Sequence, residues 1–138
     1  MKFTLRPALV GFLGVLVLTA LFTAWPASAE TRGKVLKRAE GEIRKGNFET
    51  AEKLYRELLA QDQTDKDAQL GLSFVSLKLS RLKEAYDLGM QVLAAEPTNA
   101  RAHTLVGTAL LRAGEFRTSI EALFTALKLN EREALAYA

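Results

Sequence analysis

Apolar residues recur along the second half of this chain at three- and four-residue steps, the spacing that gathers them on one face of an α-helix. Between Ala100 and Asn130, one such face is set by Ala102, Leu105, Val106, Ala109 and Leu110, and a second by Phe116, Ile120, Leu123, Phe124 and Leu127. The two are separated by Ala113-Gly114-Glu115. Gly114 stands where a helix must stop and the chain reverse, because glycine takes left-handed backbone angles without steric cost. Two helices of about 13 residues cannot bury both of their apolar faces against each other, so the pair needs neighbours.

The pattern can be slid along the chain onto an earlier copy of itself. Ala68 then falls on Ala102, Leu72 on Val106, Ser73 on Gly107 and Leu77 on Leu111. Farther on, Leu82 falls on Phe116, Leu88 on Ala122, Val92 on Ala126 and Leu93 on Leu127. A second shift of the same length reaches Ala39, Ile43, Gly46, Phe48, Ala51, Leu58 and Leu59. The predicted helices of the earlier copies are 34–45, 48–60, 68–79 and 82–95. Thr64 or Asp65 is placed to cap one helix start, and Thr98 or Asn99 another, after Pro97 has stopped the preceding helix. Gly41 inside the first helix costs about 1 kcal/mol relative to Ala.

A helix-turn-helix unit repeating every ~34 residues resembles the tetratricopeptide repeat family. The resemblance is carried by the small series Ala39, Ser73, Gly107 and Ala51, Ala85, Ser119, by the large series Phe48, Leu82, Phe116, and by Pro97. It covers residues 32–138, with repeats at about 32–65, 66–99 and 100–133. The departures are Arg38 at an apolar place, Gly89 at a large one, and Gln63 and Glu131 where a closing proline belongs. The family implies an all-α fold, a right-handed α-solenoid of antiparallel helix pairs.

The two ends differ from this body. Residues 1–29 hold a short basic segment with Lys2 and Arg6, an uncharged apolar run over 8–25, Pro26, and Ala27-Ser28-Ala29. That order describes a secretory signal peptide with Glu30 as the mature N-terminus. An uncleaved membrane anchor is the competing reading, since an apolar run of about 18 residues just spans a bilayer core. The expectation is export, to a bacterial periplasm or the medium. At the other end Asn130 is placed to cap a new helix, so 131–138 reads as a helix stub. Three readings stand there: a cap formed by Leu135 and Tyr137, a longer repeat protein continuing past Ala138, and self-association through the uncovered face.

Charge and chemistry narrow the function mainly by subtraction. The chain carries 19 basic and 16 acidic residues. Two of the basic ones lie in the leader, leaving 17 against 16, a net of +1, so the balance gives no support to nucleic-acid binding. No Cys occurs, so there is no disulfide, thiolate chemistry or Cys-based metal site. The single His103 has no second His for a metal site, no Ser stands in a nucleophile motif, and no Gly-rich phosphate loop follows the leader. No catalytic residue, metal or cofactor is expected, and an enzyme made of these 138 residues alone is not expected either. Glu49, Glu52, Glu57, Asp62, Glu84 and Asp87 read as solvated faces, with Glu52–Arg56 and Lys53–Glu57 as i,i+4 pairs.

In the family the first helix of each pair lines a concave groove, the usual binding face. Its candidates here are Leu36, Glu40, Ile43 and Arg44; Leu70, Phe74, Leu77 and Lys78; Thr104, Thr108, Leu111 and Arg112. Arg44, Lys78 and Arg112 stand one repeat apart as a basic row, beside an apolar row of Ile43, Leu77 and Leu111 with Phe74 between. Such a pairing suits a peptide or protein with an acidic edge and apolar anchors; a basic residue that is merely solvated is the bland alternative. Chaperone-binding members clamp a C-terminal carboxylate with Lys and Asn. Here the Asn places hold Glu40, Phe74 and Thr108, so that clamp is absent. The expectation is an exported binding module or scaffold without catalysis; the alternative is the N-terminal scaffold segment of a larger exported protein or enzyme.

Overall fold

The structure is a computed structural model that describes residues 30–136, with side chains described through residue 132. The leader expected at 1–29, and Leu135 and Tyr137 as a cap, lie outside what is described. Six helices follow in order: α1 (Arg32–Lys45), α2 (Phe48–Gln61), α3 (Lys66–Lys78), α4 (Leu82–Ala95), α5 (Ala100–Arg112) and α6 (Phe116–Ala136). No strand occurs among the described residues. The fold is all-α, a right-handed solenoid of antiparallel pairs α1/α2, α3/α4 and α5/α6.

The helix ends follow from their residues. Asp65 caps α3 by accepting from the Ala68 amide, and Asn99 caps α5 by accepting from the Ala102 amide, the same bond one repeat later. The turns inside the pairs also repeat. Gly46 (φ 82°), Ser80 (φ 62°) and Gly114 (φ 86°) occupy one register position, all left-handed. Only the middle turn places a side chain in that region, which costs about 1–2 kcal/mol for an L-residue.

Each pair closes across one small-residue seam. Ala39 and Ala51 are fully buried in the first pair. In the second the Ser73 hydroxyl donates to the Ala85 carbonyl (2.8 Å). In the third the Ser119 hydroxyl donates to the Gly107 carbonyl (2.8 Å). The bond has the same residue spacing in both, but its donor sits on the first helix in one pair and on the second in the other. Gly107 lacks a Cβ because one would lie 2.7 Å from Leu123 Cγ.

Between pairs the core is continuous. One cluster joins Val35, Leu54, Tyr55, Leu58, Leu72 and Val75 across α1–α3, and the next joins Leu70, Leu77, Val92, Leu105 and Ala109 across α3–α5. Burying each of the larger aliphatic side chains stabilises by about 1.5–3 kcal/mol. Two of the departures from the repeat pattern have packing reasons. A Cβ on Gly89 would stand 2.6 Å from Val106 Cγ2; the missing side chain on α4 is filled by the next repeat. Leu72 and Val106 are buried, whereas Arg38, their counterpart on α1, is exposed, because among the described residues no repeat precedes α1 to cover it.

One expectation is corrected. No new helix starts at Asn130: α6 runs unbroken from Phe116 to Ala136, 21 residues. Leu129 to Arg132 contain no glycine or proline to break it, and Glu131, Arg132 and Glu133 are better helix formers than turn residues. The 131–138 stub is therefore no separate element within the described residues. Phe116, Ile120, Phe124 and Leu127 are each more than half exposed.

Candidate functional site

The first helices of the pairs pack on one another. α1 touches α3 and α3 touches α5, while among the described residues the backbones of α2, α4 and α6 do not approach each other. Rows of helices that close up on one side and spread on the other bend the stack, with α1, α3 and α5 on its inner side. The expected groove helices are these three.

The predicted groove residues are distributed unevenly on that side. Arg44 and Lys78 are exposed. Lys78 Nζ lies 5.2 Å from the centre of the half-buried Phe74 ring, a cation–π distance that leaves the charge in solvent above an aromatic floor. Ile43 is half-buried and Leu111 is exposed. Leu77 and Leu70, by contrast, are only 5% exposed and belong to the core; period alone does not separate a groove position from one that the following helix covers. Arg112 extends the row by position, but its guanidinium donates to the Leu77 carbonyl and to Ser80 Oγ (3.0 Å). It fastens α5 to the preceding left-handed turn. Glu40 and Thr104 are exposed, and the Thr108 hydroxyl is turned back on the Thr104 carbonyl (2.8 Å). Of the basic and apolar rows, Arg44 and Lys78 stand exposed beside Phe74, with Ile43 half-buried and Leu111 exposed at the margins.

Charges that link neighbouring repeats are not marked by the hydrophobic pattern. Arg32 Nε and Nη2 grip the two oxygens of Asp65 at 2.6 and 2.7 Å, and Nη2 also reaches Asp67 at 2.7 Å. This joins the start of α1 to the cap of α3. Hydrogen bonds from Arg32 hold the Asp65 carboxyl below the usual carboxylate range. Lys66, one repeat on from Arg32, pairs with Glu96 ahead of the next cap. On the spread side, Arg56 pairs with Glu84, and Arg81 with Glu52, whose carboxyl is lowered chiefly by Arg81. Glu52 and Glu84 are thus cross-links between repeats rather than independent solvated groups. Glu52–Arg56 forms as predicted at 2.9 Å. The recurrence of Arg32 as Lys66 and of Asp65 as Asn99, one repeat apart, was the available signal.

His103 bonds through Nε2 to the Pro97 carbonyl at 2.8 Å. Tyr55 is 2% exposed and lies against Gly71, where a Cβ would come 2.3 Å from the ring; burial raises its hydroxyl above its ordinary pKa. Among the described residues no cluster of three His, Asp or Glu side chains is arranged to hold a metal ion.

A bent stack of regularly repeating helix pairs, with first helices innermost, defines a helical-repeat solenoid. Residues 42–106 match the family model described as Tetratricopeptide repeat. Over those residues the chain matches the tetratricopeptide repeat family. Among curated proteins none matches it by sequence. Solved structures similar to it include the second tetratricopeptide domain of Spaghetti (RPAP3) bound to the HSP90 peptide SRMEEVD, at 22% identity and a TM-score of 0.65, covering 70% of this chain and 89% of that one. The Yersinia enterocolitica type III secretion chaperone SycD, in complex with a peptide of the translocator YopD, shares 22% identity at a TM-score of 0.68 and covers 80% of this chain and 87% of that one. A Thermobaculum terrenum O-GlcNAc transferase mutant shares 23% identity at a TM-score of 0.68 over 72% of this chain but only 20% of that one. At these identities the likeness is one of fold.

Proposed function

We propose that the chain is an exported binding module that recruits a peptide or protein segment into the groove formed by α1, α3 and α5, without catalysing a reaction on it. The observation that carries this reading is the Phe74–Lys78 platform on α3. It offers an aromatic surface with a cation held over it, flanked by Arg44 on α1 and Leu111 on α5. An extended or helical ligand with an acidic edge and an apolar anchor meets both chemistries there. Two similar structures hold peptides, one of them the acidic SRMEEVD. The order of residues 1–29 supports export.

The test is capture from the exported fraction by the wild-type protein and by the double variant Arg44→Glu, Lys78→Glu. These positions are exposed, so the fold is expected to persist, as circular dichroism will check. Loss of the captured species supports the groove; an unchanged set of captured proteins sinks it. N-terminal sequencing of the exported protein is expected to begin at Glu30, and a sequence beginning at Met1 overturns the cleavage reading. A second reading, a scaffold segment of a larger exported protein, draws on the transferase that this fold matches over a fifth of its length. An open reading frame that stops immediately after Ala138 removes it.

A further inference from the structure

The apolar stripe of α6 occupies the register that, one repeat earlier, receives a helix. Phe116, Ile120 and Leu127 stand one repeat after Leu82, Tyr86 and Leu93, which are partly buried against the cluster containing α5. The face of α6 that carries Phe116, Ile120 and Leu127 is thus shaped to accept a helix, with Phe124 at its edge one repeat after the exposed Met90, and the unbroken course of α6 to Ala136 means that the described chain does not fold back over it. Phe116, Ile120, Phe124 and Leu127 are exposed by 64, 66, 55 and 54%.

The charges on this helix indicate which helix fits. At about 100° per residue, Phe116, Ile120, Phe124 and Leu127 fall within one stripe. Arg117, Glu121 and Lys128 fall along the flank turned away from Ser119 and Ala126, the buried positions by which α6 packs on the body. In an antiparallel pair of identical helices, like flanks meet. With a two-fold axis beside Phe124, Ile120 lies opposite Leu127 of the second copy and Phe124 opposite Phe124. Arg117 then lies opposite Glu131, and Glu121 opposite Lys128, all symmetric about position 124 to within about half a residue. Apolar residues meet apolar ones, and both charge pairs have opposite sign. Within one copy these charges are weakly engaged: Arg117 and Glu121 are 3.8 Å apart with side chains 93 and 70% exposed, and Lys128 lies over the Phe124 ring at 4.5 Å.

We infer that two copies of this chain pair through antiparallel α6 helices, each laying its α6 on the apolar face of the other's. The pairing leaves Arg44, Phe74 and Lys78 outside the contact, so it stands or falls independently of the groove reading. The experiment is sedimentation equilibrium on the full chain as its host processes it, for the wild type, Ile120→Asp, Glu121→Lys, Lys128→Glu and the double reversal Glu121→Lys, Lys128→Glu. The expected result is a wild-type dimer. Ile120→Asp weakens association by at least about tenfold, because a charge is buried within the apolar contact opposite Leu127. Each single reversal also weakens it by setting like charges face to face, and the double reversal restores it. A monomeric wild type, which leaves the face to a following repeat or another partner, overturns the inference. So does a dimer that is indifferent to Ile120→Asp, or single reversals that the double does not rescue. Circular dichroism of each variant separates lost pairing from lost folding.

Discussion

Gly71 and Gly41 both lie inside first helices, and the structure assigns opposite signs to the same substitution at the two. In a helix interior, Gly→Ala stabilises by about 1 kcal/mol through backbone entropy. At Gly41 a Cβ would have only Arg44 Nη2 within 4 Å, at 3.8 Å and at the end of a flexible side chain, so Gly41→Ala retains that whole gain. At Gly71 a Cβ would lie 2.3 Å from Tyr55 Cε1 and Cζ and 2.8 Å from Cε2. The ring cannot swing away, since Tyr55 is 2% exposed and sits in the cluster that joins α1 to α3. Overpacking of this kind costs about 1–3 kcal/mol or more, which exceeds the gain. The expected net effect of Gly71→Ala is therefore a loss of about 1–2 kcal/mol, against a gain of up to about 1 kcal/mol for Gly41→Ala. For a domain of this size the two melting temperatures should separate by roughly 10 °C. Thermal and urea unfolding followed by helical circular dichroism measure both. If Gly71→Ala proves as stable as the wild type, the close approach of Tyr55 to α3 is wrong.

Two further outcomes follow from the turns and the ion pairs. Ser80→Gly removes the cost of a left-handed serine, about 1–2 kcal/mol, offset by greater freedom of the unfolded chain and loss of the bond from Arg112. The expected net gain is a few tenths to about 1 kcal/mol, read as a raised urea midpoint, and a lowered midpoint counts against the strain. Acid should act through Asp65 and Glu52, both held below the ordinary carboxylate range, the first mainly by Arg32 and the second mainly by Arg81. A depressed pKa contributes stability that is fully present above about pH 4 and is lost as pH falls through the folded-state value. Asp65→Asn keeps a capping side chain but loses the ion pair, so its deficit relative to wild type should be largest near neutrality and shrink at acid pH. A deficit unchanged across melting curves from neutral to acid pH refutes the assignment.

Much of this architecture could be read from the chain because the repeat reports itself three times. Ala39/Ala51, Ser73/Ala85 and Gly107/Ser119 recur in phase, and a residue that must be small at one pair is small at all. The groove was less legible. Arg44, Lys78 and Arg112 share a register, yet Arg112 is docked on the neighbouring turn and Leu77 is buried, because their fates depend on what the adjoining repeat places against them. Asn130 misled for a related reason: a residue type suited to capping caps only where the chain turns, and nothing around it forces a turn. The bonds between repeats from Arg32, Arg56 and Arg81 span 28 to 35 residues and join unlike register positions, so the repeat marks at most one partner of each and not the pairing.

The uneven closeness of the helix rows has a mechanical consequence. Along its inner side the stack is held by apolar contact between α1, α3 and α5, reinforced at the helix starts by Arg32 on Asp65; between α2 and α4, outside the buried cluster, the surface is spanned by Arg56–Glu84 and Arg81–Glu52. The first kind of contact resists displacement steeply and is not weakened by charge screening, while exposed ion pairs yield gradually and weaken as ionic strength rises. Rising ionic strength is therefore expected to loosen the outer edge before the inner spine.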